Sequence, residues 1–177
     1  DNSSVGTITN TGTITAIAAD TTAVGIYVKG TSTGSTVGTI TNSGTISGSA
    51  GTDTAVGIFI SDASSVGTIT NSGLITTTAG DDDAFGIRVE DDSTVDTITN
   101  SGTITASAAD STAIGILVDT RSTVDTITNS GLITTTAVED DAVGILVDTN
   151  SIVDNIDNTG TISVTAGIKE ATGIRLE

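Results

Sequence analysis

The chain has no cysteine, histidine, methionine, proline or tryptophan, and its 177 residues include one tyrosine and two phenylalanines. Without cysteine it forms no disulfide, and the compartment stays open, since secreted repeat proteins and reduced cytosolic proteins both manage without that residue. With no proline, nothing interrupts a β-ladder. Lack of tryptophan fits a narrow core of small branched side chains. Bases are scarce, at five against twenty-two acids, for a net charge of −17. Such a surface repels nucleic acid and anionic lipid, so no nucleic-acid partner is expected, and no run is apolar enough for membrane insertion. No segment shows the i, i+3, i+4 apolar pattern of an amphipathic helix.

What is present is a repeat. Asparagines at 10, 42, 71, 100, 129 and 158 each open Asn-(Ser/Thr)-Gly, at spacings of 32, 29, 29, 29 and 29. Turn and apolar residues that return to the same phase this regularly mean one supersecondary unit stacked on copies of itself. The coils run 5–36, 37–65, 66–94, 95–123, 124–152 and 153–177, in one elongated domain over 1–177. The extra three residues of the first coil fall within 30–36, where a surface turn can bulge without disturbing the strands.

Each coil carries three strand signals. Thr7-Ile8-Thr9 sends isoleucine to one face and threonine to the other, Thr13-Ile14-Thr15 does the same, and Ala23-Val24-Gly25-Ile26-Tyr27-Val28 completes the coil. The expected inward columns are Val5, Ile8, Ile14, Val24, Ile26 and Val28 with their repeats, helped by Ala18 and its repeats. These are mostly β-branched, which suits pleated strands. The column Tyr27, Phe59, Arg88, Leu117, Leu146, Arg175 accepts both arginine and phenylalanine and is expected to be exposed. The fold class is therefore all-β: a right-handed parallel β-helix with three strands per coil, rising ~4.8 Å per coil over roughly 25–30 Å. At the Asn-x-Gly corner, glycine is expected to supply a positive φ and asparagine to bond backbone and its stacked neighbours.

The string Ile-Thr-Asn-Ser-Gly-Thr-Ile, an alanine- and aspartate-bearing loop, then Ala-(Val/Ile)-Gly-Ile, resembles the repeats of bacterial autotransporter passenger domains and related secreted adhesins, over residues 5–177. The resemblance implies a non-enzymatic extracellular stalk displayed on a bacterial cell surface, with a host or neighbouring-cell surface ligand. It carries over no catalytic residue. The chain begins and ends inside the repeat pattern, so it is read as part of a longer protein whose targeting signals lie outside it.

The charge is uneven: residues 1–65 hold four acids against Lys29, giving −3, and residues 66–177 hold eighteen acids against four bases, giving −14. Two acidic columns stand out, Asp96, Asp125, Asp154 and Glu90, Asp119, Asp148, Glu177. The turn that contains Asp91, Asp92 and Asp96, with Asp125 one coil on, is dense in oxygen ligands and is a candidate calcium site of the weak extracellular kind, ~0.1–1 mM. The glycine-rich nonapeptide of calcium β-rolls is missing. Asp91, Asp92 and Asp96 are also the only crowded carboxylates for glycoside chemistry, but without histidine, and with few cations and aromatics, an enzyme is not expected.

Two alternatives use the outer faces. Thr7, Thr9, Thr39, Thr41, Thr68, Thr70, Thr97, Thr99, Thr126 and Thr128 would form a two-column hydroxyl-methyl array suited to ice or another crystal surface. Asn155 and Asp157 break it in the last coil. The strip formed by Ala23, Gly25 and the column of Tyr27, Phe59, Leu117 and Leu146 would instead support homotypic contacts, as in a self-associating fibre.

Overall fold

A computed structural model describes residues 3–31 and 34–177. Among these residues there are eighteen strands and no helix, so no helix is long and apolar enough to cross a membrane. The first coil holds β1 (Ser4–Asn10), β2 (Thr13–Ala18) and β3 (Ala23–Lys29), and the same trio recurs through six coils. Every third strand pairs in parallel, giving three six-stranded sheets, the all-β solenoid that the columns demand.

The register is fixed by the repeat. Ile8 pairs with Ile40, Ile40 with Ile69, Ile69 with Ile98, Ile98 with Ile127 and Ile127 with Ile156. Four of these six, Ile40, Ile69, Ile98 and Ile127, are fully buried. They meet the Val5, Ile14, Ile26 and Val28 columns in one core running along the axis. Each such isoleucine contributes roughly 1.5–3 kcal/mol relative to exposure. A second strip of alanines, Ala18 and Ala23 with their repeats, fills the corner where the second and third sheets converge.

The extra residues of the first coil leave this register intact, for Val28 pairs with Ile60 and Val37 with Val66. Ser32 and Thr33 of the expected bulge lie outside the described residues.

Three expectations need correction. Val24 does not share the inner face with Ile26 and Val28. Its column packs with Phe59, Leu117 and Leu146 in a separate cluster, while Ala23 and not Val24 enters the core. The cause is a break in alternation at Gly25 and its repeats. Pairing runs Ala113 with Ala142 and Ile114 with Val143, then resumes at Ile116 with Ile145. A Cβ on Gly86 would run into the buried side chain of Ile104 and stand 2.5 Å from the carbonyl oxygen of Gly115. That glycine therefore faces inward, like the isoleucine that follows it, and the phase of the strand flips there.

For the same reason the Tyr27 column is not an exposed strip. It lies outside the core, yet Phe59, Leu117 and Leu146 are covered by their stack neighbours and by the Val24 column, leaving Tyr27 in the end coil as the exposed member at 45%.

The third correction concerns the Asn-x-Gly corner. Gly34 is the one described glycine with positive φ, so Gly12 and its repeats do not serve by left-handed geometry. The repeats of Gly12 serve by closeness: a Cβ on Gly44, Gly73, Gly102 or Gly131 would run into the carbonyl oxygen of the corner glycine one coil before it. Left-handed backbone occurs instead in pairs of other residues at the corner between the third and first sheets, Asp62–Ala63, Asp91–Asp92, Thr120–Arg121 and Thr149–Asn150. Aspartate and asparagine tolerate that conformation better than most side chains, which explains their frequency at this turn.

Candidate functional site

The most regular polar structure in the molecule is the asparagine ladder. At the first corner, each asparagine Nδ2 donates to the Oδ1 of its counterpart in the next coil, from Asn10 to Asn158, at 2.7–2.8 Å. Nδ2 of Asn42 also lies 3.3 Å from the Gly44 carbonyl oxygen and 3.1 Å from that of Leu74. Asn42, Asn71, Asn100 and Asn129 are fully buried, so the ladder satisfies amides that would otherwise be desolvated without partners. Its role is structural, as the sequence suggested.

A second ladder runs through serines. The backbone N–H of Ser35 donates to Ser64 Oγ, Ser64 to Ser93, Ser93 to Ser122 and Ser122 to Ser151, at 3.2–3.3 Å. These serines follow the left-handed turn and are buried apart from Ser151. They recur at 35, 64, 93, 122 and 151, 29 residues apart.

The acidic residues separate into several surroundings. Asp92, on the exposed surface, takes a two-pronged bond from Arg121, Nε to Oδ1 at 2.8 Å and Nη2 to Oδ2 at 2.6 Å, and the guanidinium holds its carboxyl below the usual range. Asp91 sits beside it in the left-handed turn. Asp96 and Asp125 are exposed on the outer face of the first sheet, one coil apart. The proposed calcium ligands therefore line a corner and a column, and among the described residues no three His, Cys, Asp or Glu side chains converge to hold a metal ion.

Glu90 is different. Burial pushes its carboxyl upward, against the attraction of Arg88, whose Nη2 lies 2.6 Å away. The Arg88 guanidinium in turn lies over the rings of Phe85 and Phe59, with centroids 4.6 and 5.2 Å away.

The threonine pairs occupy the outer face of the first sheet in unbroken register: Thr39 with Thr68, Thr68 with Thr97, Thr97 with Thr126, and likewise from Thr41 to Thr128. Thr7 and Thr9 head the two columns and are exposed; the others are half-buried by their neighbours above and below. The array ends where Thr126 meets Asn155 and Thr128 meets Asp157.

On the outer face of the third sheet lies a groove of about 220 Å³ that spans coils three to six. Phe85, Ile114, Leu117 and Leu146 line it together with Asp83, Asp119 and Asp148 and with Arg88 and Arg175 at its two ends. Of the residues named for self-association, Leu117 and Leu146 belong to this groove, and Tyr27 stacks on Phe59 nearer the first coil at 4.7 Å. The sequence pattern could not show a groove here, because it placed the Val24 column on the wrong face.

In comparisons with protein-family models, curated proteins and solved structures, nothing matches this chain.

Proposed function

We propose that this solenoid is a non-enzymatic structural stalk, a stiff extracellular spacer on a bacterial surface that holds an adhesive tip away from the cell. One observation carries the reading: all three sheets keep the same register through every pair of neighbouring coils from the second to the fifth, so the strand pairing of each of these coils repeats in the next. A unit that can be repeated without changing its contacts suits a part whose useful property is length. Stability is then a sum of nearest-neighbour terms, each coil covering the hydrogen-bonding edge of the one before.

The test is to delete residues 66–94, or to duplicate them, between a surface anchor and a labelled tip. Height of the tip is expected to change by ~4.8 Å per coil with the circular dichroism of the rod preserved. A height independent of coil number would exclude a spacer. Binding of cells by the tip and not by the rod would locate adhesion outside this segment.

The threonine register favours a second reading, attachment to ice or another crystalline surface. A flat array of hydroxyl and methyl groups repeating at the strand spacing suits an ordered lattice. Thr68→Lys with Thr97→Lys places two long charged side chains mid-array, and under this reading abolishes thermal hysteresis without loss of fold. An unmodified chain without thermal hysteresis rules out the ice case.

A further inference from the structure

Arg175 lies on the outer face of the third sheet between two carboxylates. Its Nη1 donates to Asp141 Oδ2 at 3.0 Å, and its Nε stands 2.8 Å from Glu177 Oε1, an ion pair that falls outside hydrogen-bond geometry. Asp141 precedes the arginine by 34 residues and Glu177 follows it by two. Because the chain repeats every 29 residues, the same offsets can be read at other levels of the column.

At Leu117 they give Asp83, which is 34 before it, and Asp119, two after it. Asp83 is set as Asp141 is: its Oδ1 accepts from the N–H of Thr112 at 3.0 Å, as Asp141 Oδ1 accepts from the N–H of Glu170 at 3.0 Å. Asp119 Oδ1 accepts from the N–H of Thr120. Both carboxylates are half-buried, and they line the groove together with Ile114 and Leu117. The carboxylates that hold a guanidinium in the sixth coil thus have counterparts in the third and fourth coils, and the residue between them there is leucine.

No base of the chain is free to fill the place. All five are engaged: Lys29 with Asp62, Arg88 with Glu90, Arg121 with Asp92, Lys169 with Asp140, and Arg175 with Asp141 and Glu177. A second copy would bring the same paired bases and a surplus of acid. Arg88 and Arg175 also line the groove but are matched by Glu90 and by Asp141 and Glu177, so the charge left on Asp83, Asp119 and Asp148 calls for a cation from a different molecule, and the apolar floor for a stem attached to that cation.

We propose that the groove over Leu117 binds an arginine side chain of a partner protein, its guanidinium between Asp83 and Asp119 and its methylene stem on Ile114 and Leu117. Arginine fits better than lysine because its planar fork addresses two carboxylates at once and tolerates desolvation. Its stem covers apolar surface while the head stays charged. Arg88 and Arg175 show the same arrangement within the chain, a guanidinium laid on this face and met by a carboxylate from its edge.

The experiment titrates the 177-residue chain, by calorimetry at low ionic strength, with acetyl-Ala-Leu-Arg-Leu-Ala-amide and with the same peptide carrying citrulline in place of arginine. The citrulline peptide is expected to bind at least about tenfold more weakly, the worth of one charge-assisted hydrogen bond. Leu117→Arg supplies the guanidinium from within and is expected to weaken peptide binding about tenfold or more, with the melting temperature held or raised. The pair Asp83→Asn and Asp119→Asn keeps shape, removes charge and is expected to give the same loss; it decides the matter if Leu117→Arg does not fold. Equal binding of the two peptides, binding undiminished in the variants, or no binding at about 10 mM peptide overturns the proposal. Methylguanidinium binding as tightly as the peptide would assign the place to a small cation, and a dimer that the peptide cannot dissociate would assign it to a second copy; either result overturns the partner-protein assignment.

Discussion

Asn71 Nδ2 donates to Asn100 Oδ1 at 2.8 Å, and both side chains are fully buried. Each amide from Asn42 to Asn129 donates to the next coil and accepts from the previous one, so the bonds align and polarise one another along the rod. The relationship couples neighbouring coils by a polar contact that tolerates no change of register.

Replacing Asn100 with alanine leaves Asn71 without its acceptor and Asn129 without its donor. The expected cost is roughly 1–3 kcal/mol per unsatisfied group, read as a lower denaturant midpoint with unchanged slope. Asn100→Asp goes further, because a carboxylate cannot donate to Asn129 Oδ1. Its folded pKa is expected to rise, so the penalty is full at neutral pH and is relieved as pH falls through that raised value. A variant whose stability shows no such acid rescue would contradict the ladder.

The corner glycines divide by position. Gly102→Ala drives a methyl group into the carbonyl oxygen of Gly73, and backbone cannot yield cheaply, so a loss of about 1–3 kcal/mol or more is expected. Gly12→Ala meets nothing within 4 Å and lies outside the left-handed region. It is expected to be neutral or to stabilise by ~0.4–1 kcal/mol through the unfolded chain. Equal losses at both sites would restore the turn-conformation explanation that the structure overturns.

Ile98→Asp is expected to unfold the middle of the rod, since it buries an unpaired charge at a position fully closed to solvent, whereas Thr97→Asp adds one charge to the outer face. Thermal melting of the two variants measures the contrast. Similar shifts would mean that the faces of the first sheet are reversed.

Asp96, Asp125 and Asp154 project from the first sheet one coil apart, where like charges repel by roughly 1 kcal/mol per pair in water. Asp125→Asn is expected to raise the melting temperature at low ionic strength, and the gain to vanish in about 1 M sodium chloride, where the screening length is ~3 Å. Calcium that stabilises the unmodified chain beyond sodium chloride of equal ionic strength would indicate coordination.

Asp141 accepts from the Glu170 N–H and from Arg175, and these contacts hold its carboxyl below the ordinary range. A depressed folded pKa contributes stability above the unfolded value, near 3.9, and loses it as pH falls through the folded one. Asp141→Asn is therefore expected to lower the melting temperature near pH 7, and the difference to shrink as pH falls below the unfolded value. Equal losses on both sides of that value would mean that the ion pair contributes nothing.

The period, the number of strands per coil, the Ile8 and Ile14 columns and the asparagine ladder follow from the sequence, because a feature recurring every 29 residues in identical phase can satisfy its hydrogen bonds only by stacking on itself. The serine ladder was equally periodic, though a serine after a turn carries no signal that separates a buried Oγ from a solvated one. What the sequence could not determine was the third sheet's outer face. Alternation assigns Val24 inward only if the pleat continues through Gly25, and whether it does depends on Ile46, an isoleucine of the second strand of the next coil, reaching that point. The repeats of Gly12 likewise carry the pattern of a local turn, whereas their constraint comes from the carbonyl of the neighbouring coil. Leu117 stands between Asp83 and Asp119 because coils three and four are stacked, and no window along the chain brings residues 83 and 117 together. Short-range pattern decides which residues share a column; only the closed coil decides which columns face each other.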